Sequence, residues 1–140
     1  MIPARLRRPH LPVLAAAILG CGLGIALESG ALAQQPGVSR SILLRADEPG
    51  STTHEAVMAV VELAPGASSG SHRHPGIEIG YVLDGSVRLE HEGRPAATLK
   101  AGESFRNDGA HNAANPGDRP AKILAVYLVE KGKPLAEPVK

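Results

Sequence analysis

From Val38 onward the chain is a succession of short apolar runs broken by turn residues, with no convincing helical period. Where polar and apolar positions alternate, they do so every second residue. Val87, Leu89 and His91 interleave with Arg88, Glu90 and Glu92, as in a strand with one packed face and one face in water. The pattern predicts strands over residues 41–45, 57–63, 77–83, 86–92, 96–99, 104–106 and 122–129. Residues 123–129 are almost continuously apolar, which predicts a buried central strand. The breaks between runs carry Pro, Gly, Asn and Asp, as in Ala64-Pro65-Gly66, Pro75-Gly76, Ala101-Gly102 and Asn115-Pro116-Gly117. Short strands at this spacing predict an all-β sandwich or barrel. Asp84-Gly85, between two strand-like runs, is the strongest hairpin signal in the chain.

The first 33 residues follow different rules. Arg5, Arg7 and Arg8 precede an apolar stretch over 11–27, and Ala31-Leu32-Ala33 supplies a small-residue exit. That three-part pattern predicts a secretory signal peptide over 1–33, cleaved after Ala33. Gly20, Gly22 and Gly24 interrupt the apolar stretch, which falls short of the roughly 20 clean residues of a membrane span. Ile18-Leu19-Gly20-Cys21 is an imperfect lipobox, so lipid attachment at Cys21 ranks second. Arg7-Arg8 runs into Pro9 and is read as a charged flank, not a twin-arginine export signal. The expected organisation is a tether at 34–40, one domain at 41–130 and a polar surface tail at 131–140.

Processing changes what the composition means. Removing residues 1–33 takes Arg5, Arg7, Arg8 and Glu28 with it, leaving 12 basic and 13 acidic side chains and a formal net charge of −1. The basic balance therefore belongs to the leader, and no basic patch argues for nucleic acid. Cys21, the one cysteine, leaves as well, so neither a disulfide nor a thiolate ligand is available to the processed domain. A metal would have to be held by imidazole and carboxylate.

His72-Arg73-His74 is the first segment that suggests such a site. Side chains two apart on a strand share a face, so both imidazoles point one way and Arg73 the other. Glu78 keeps the same parity, across a bend expected at Pro75-Gly76. The other polar and aromatic residues have simpler readings. His91 shares a strand face with Val87 and Leu89 and reads as packed or at a pocket edge, and His54 as a surface residue. Tyr81, Phe105 and Tyr127 are the only aromatics and read as core. Arg106 and Asn107 read as a solvated loop, with an anion-holding role as the alternative, and Asn115 as a turn-fixing residue before Pro116-Gly117.

The spacing of Gly66, His72, His74, Glu78 and Gly85 resembles the first motif of the cupin family, and His111 with Asn115 resembles the His-x-x-x-Asn end of the second. The second motif departs from the family pattern. Residues 102–111 are two shorter than usual, and Arg106-Asn107-Asp108-Gly109-Ala110 stands where the family has a Pro and a further Gly. The resemblance spans roughly 42–129 and is to the small single-domain bacterial cupins. It implies a double-stranded β-helix, or jelly-roll barrel, with His72, His74, Glu78 and His111 as ligands of one divalent transition metal. Mn, Fe, Ni, Cu and Zn all suit such ligands.

Function does not follow from fold. The family includes dioxygenases, oxalate-degrading enzymes and sugar isomerase relatives beside binding and sensory modules. The expectation is a secreted or periplasmic metal-dependent oxidoreductase or lyase acting on a small polar molecule. The alternative is a non-catalytic module that holds a metal or small ligand. A homodimer is expected, since a lone barrel of this size gains from covering its edges.

Overall fold

The computed structural model describes residues 35–139. The expected leader, its Ala33 exit and Cys21 lie outside the described residues. Ten strands form: β1 (Val38–Asp47), β2 (His54–Leu63), β3 (His72–Arg73), β4 (Gly76–Asp84), β5 (Ser86–His91), β6 (Ala97–Lys100), β7 (Ser104–Asn107), β8 (His111–Ala114), β9 (Ala121–Glu130) and β10 (Glu137–Pro138). They pair in two antiparallel five-stranded sheets, ordered β1-β2-β9-β4-β7 and β10-β3-β8-β5-β6. This is the all-β, double-stranded β-helix architecture anticipated above. Among the described residues no helix is long and apolar enough to cross a membrane.

From β2 to β5 and from β6 to β10 each connection carries the chain from one sheet to the other. The core lies between the sheets. Every second residue of β9 faces it: Ala121, Ile123, Ala125, Tyr127 and Val129 are all buried. With Val57, Ala59, Val61 and Leu63 from β2 and Val82, Val87 and Leu89 from β4 and β5, they make one cluster. Each large side chain so buried contributes about 1.5–3 kcal/mol. β9 sits between β2 and β4, the central position its apolar run predicted.

Three expectations need correction. Asp84-Gly85 does not close a hairpin, because β4 and β5 lie in different sheets. Gly85, at φ +75°, packs a would-be Cβ against the Pro120–Ala121 backbone, so the turn passes the chain between layers. His72, His74 and Glu78 likewise do not share one strand face. β3 belongs to one sheet and β4 to the other, and the chain crosses at Pro75-Gly76. Gly76 is required there because a Cβ would run into the Leu128 carbonyl. Finally, neither end is a loose appendage. The expected tether contributes the start of β1, including Arg40, and the expected surface tail contributes β10, paired with β3 through Glu137↔Arg73 and Pro138↔His72. Ala136 is buried and Leu135 packs on the core.

The outward face of the first sheet is apolar. Leu44, Met58, Val126 and Ile79 stand in register across β1, β2, β9 and β4, with Val60, Leu124 and Tyr81 forming the next row. Leu44, Ile79, Tyr81 and Leu128 are each roughly half exposed.

Candidate metal centre

Two short rungs face each other across the barrel. On one sheet His72 pairs opposite His111, and His111 opposite His91, so three imidazoles line up across β3, β8 and β5. On the other, Tyr127, Glu78 and Asn107 align across β9, β4 and β7. His74, just past β3, reaches in beside Tyr127 with ring centroids 4.7 Å apart. His72, His74, Glu78, Asn107 and His111 are all buried. His72, His74 and His111 each offer a ring nitrogen within 4.8 Å of the others, a group that can hold a metal ion. Glu78 Oε2 lies 3.2 Å from Nε2 of both His74 and His111. The short 102–111 loop therefore still delivers His111 to the same point as the His-x-His pair.

Main-chain carbonyls decide what these nitrogens can do. Nδ1 of His72 donates to Gly70 O at 2.9 Å, Nδ1 of His74 to Leu135 O at 2.6 Å, and Nδ1 of His111 to Gly109 O at 2.9 Å. A carbonyl can only accept, so in each neutral ring the proton sits on Nδ1 and the Nε2 lone pair is free. Two such lone pairs then face a buried carboxylate oxygen, and His74 Nε2 has no hydrogen-bond partner at all. Left to themselves these atoms repel. A cation among them satisfies every one, and the Nδ1–carbonyl bonds are what orients a metal-binding imidazole.

Charge placement agrees. Burial pushes the His72 imidazole down to about 4, with the neighbouring His111 and His74 adding to the effect against the Gly70 carbonyl, so it is neutral and ligand-competent at pH 7. Burial works against the Glu78 carboxylate, but positive charge on the Nε2 side of His111 and His74, together with the Asn107 amide, outweighs it and holds Glu78 below the usual carboxylate range, so the point that suits a cation also favours the ionised carboxylate. Burial, reinforced by the Glu78 charge, keeps the Tyr127 hydroxyl protonated.

Several residues of this centre carry no motif signal. Asn107 donates through Nδ2 to Glu78 Oε2 at 2.7 Å, and its Oδ1 lies 2.7 Å from His91 Nε2. His91 is thus the outer end of a relay that fixes Glu78, the pocket-edge place its alternation allowed. Asn107 is not part of a solvated loop, whereas Arg106 is exposed and paired with Asp108. Phe105 and Tyr127 line the cavity beside the imidazoles, while Tyr81 is half exposed and not core. Asn115 takes no part in the centre; it ties the Leu63, Ala64 and Arg119 carbonyls to the turn and accepts from Gly117 N. His54 is exposed, as expected.

Comparison with known proteins gives the same fold. An uncharacterised double-stranded β-helix protein from Klebsiella pneumoniae is 23% identical, with a TM-score of 0.57 over 69% of this chain and 80% of its own. The DMSP lyase of Ruegeria pomeroyi is 24% identical, with a TM-score of 0.60 over 73% of this chain and 51% of its own. An oxalate oxidase is 26% identical, with a TM-score of 0.58 over 74% of this chain and 55% of its own. The chain spans about half the length of these two enzymes. No curated protein sequence matches it. Residues 59–127 match the cupin domain family Cupin_2. That span, just under half of the chain, holds both rungs and carries the likeness to the cupin superfamily.

Proposed function

We propose that this protein is a metal-dependent enzyme, an oxidoreductase or a lyase, acting on a small polar molecule. His72, His74, Glu78 and His111 would hold one divalent transition metal, from among Mn, Fe, Ni, Cu and Zn. The observation that carries the reading is the set of three imidazoles locked by carbonyls in the Nδ1–H form, with ring nitrogens within 4.8 Å of one another and the Nε2 atoms of His74 and His111 at a buried carboxylate. The metal would supply a Lewis acid and a template for substrate oxygen. The chain's own contributions are separate. Asn107 and His91 hold the Glu78 carboxylate in one orientation, and Val61, Leu63, Ile123 and Phe105 give the cavity apolar lining. The likeness to an oxalate oxidase supports an oxidative reaction on a small acid.

A second reading has its own support. The cavity beside the imidazoles is only about 30 Å³, space for about two water molecules. That suits a module which holds a metal without turning anything over. Assay of the metal-loaded protein with oxalate, catechols, thiols and keto acids separates the two. Consumption of any one supports the enzyme, and tight binding of such a compound with its recovery unchanged supports the module.

Asn107 supplies a narrower test of the centre. Asn107→Ala removes the donor to Glu78 and is expected to weaken metal binding by roughly 10- to 100-fold, as loss of such outer partners does. Metal titration reads the effect, and unchanged affinity would show that Glu78 needs no such support.

Export with cleavage after Ala33 and pairing of two copies through the apolar face around Leu44, Ile79 and Tyr81 belong to the same proposal. Apolar rows of this kind on an otherwise polar surface mark association sites. Intact mass and sedimentation of the exported protein should give a chain starting at Gln34 and twice its mass in solution. A retained leader or a monomer at micromolar concentration would sink the corresponding part.

A further inference from the structure

We infer that Arg40 and Tyr127 form the substrate-recognition pair of the cavity, and that they select a small carboxylate. The inference deepens the small-molecule reading above and rests on it.

Arg40 and Tyr127 both line the cavity that His72, Glu78 and His111 also line. The Arg40 guanidinium lies over the Tyr127 ring, 5.8 Å from its centroid. Arg40 Nε and the Tyr127 hydroxyl are both buried, and neither makes a hydrogen bond of good geometry, although Arg40 and Glu78 both stand close to the hydroxyl. Tyr127 is fully buried, so solvent cannot satisfy it. Among the described residues Arg40 takes part in none of the ion pairs, although most other surface cations do. Each unmade buried hydrogen bond costs about 1–3 kcal/mol, and more where the group is charged. Apolar side chains would fill the same positions without that cost.

Both orphaned groups are donors, so the missing partner is an acceptor. Arg40 is the only cation among the lining residues, and Glu78, the only carboxylate, accepts from Asn107 and faces the Nε2 atoms of His74 and His111. An incoming anionic oxygen pair meets Arg40 Nε–H and the Tyr127 O–H together, the charge-assisted arrangement that favours carboxylate over neutral acceptors. The small cavity restricts the acid to one or two carbons at this end. Arg106, the sequence-level candidate for holding an anion, is exposed and already paired. Arg40 takes that role from the start of β1, just ahead of residues 41–45, over which the sequence pattern predicts the strand.

The test uses isosteric probes, acetate against acetamide and formate against formamide, titrated calorimetrically into the full processed protein with its metal content measured in the same sample. Wild type is expected to bind each acid at least tenfold more tightly than its amide. Arg40→Gln should abolish that preference at unchanged metal content, and Tyr127→Phe should reduce acid binding severalfold. Should Arg40→Gln fail to fold or lose metal, Arg40→Met gives the same comparison with a side chain of similar length. Retention of the full acid preference in the folded, metal-loaded Arg40 variant would overturn the inference, because the metal alone would then account for it. Failure of wild type to discriminate acid from amide would overturn it too. A wild-type chain that binds no metal would instead sink the metal reading, and the Arg40 comparison can still be made on the metal-free chain.

Discussion

Stripping the divalent ion with a chelator is expected to lower the unfolding midpoint sharply, and returning it to restore the loss. An ion that binds only the folded chain stabilises it in proportion to the logarithm of its excess over the dissociation constant, about 4 kcal/mol at a thousandfold excess. For a domain of this size that corresponds to more than about 10 °C in midpoint. His74→Ala and His111→Ala should each abolish the metal-dependent shift and leave the purified protein without stoichiometric metal. Their effect on the metal-free protein should be far smaller. His74 Nε2 is buried without a partner, and both rings turn lone pairs toward Glu78, so deleting either relieves a conflict while opening a cavity. A variant that destabilises the metal-free and metal-loaded forms equally would make these histidines packing residues. Metal lost in His72→Ala but kept in His111→Ala would remove His111 from the site and trace the cause to the short 102–111 loop.

How much of this was legible in the residues depends on the signal each element carries. All seven predicted strands exist, because each is an apolar run bounded by turn residues, and the structure extends or shifts most of them by one to three positions. The three not predicted are β3, β8 and β10, of two, four and two residues. They are short and mostly polar, so no periodicity can reveal them, and two of the three carry His72 and His111. His72, His74, Glu78 and His111 were visible through motif spacing, which records which residues meet without saying how. Their delivery from opposite sheets appears only once Gly76 and Gly85 are seen to be crossing points. Arg40, Tyr127 and Asn107 had no such signal. Arg40 falls in the stretch expected to be a tether, Tyr127 alternates as any core aromatic does, and Asn107 stands among loop-type residues. Register across three strands brings the last two beside Glu78, and a single chain gives no direct view of register between strands so far apart in sequence.

In the metal-free protein, acidification from pH 6.5 to 4 is expected to cost on the order of 3 kcal/mol of stability through His72 alone. Burial lowers its imidazole from 6.5 to about 4 in the folded chain, so between those values the unfolded chain binds a proton that the folded chain refuses. Where the unfolded state binds more protons, stability rises with pH. The His72 contribution is therefore complete above pH 6.5, declines as pH falls, and is gone below about 4. The fall from 6.5 to about 4, at about 1.36 kcal/mol for each tenfold change in proton affinity, sets the ceiling. Glu78 is also held below its ordinary value, but its contribution persists down to about 4.5, the carboxylate's ordinary value, and is lost below that. The interval from 6.5 to about 4.5 thus belongs to His72 and not to Glu78. Denaturant melts of metal-free wild type and His72→Asn at half-unit pH steps make the comparison directly. The variant should show a clearly shallower slope over that interval, and parallel curves would mean that His72 is not held neutral by its surroundings. With metal present the same interval steepens, because protons then compete with the ion for the same three Nε2 atoms.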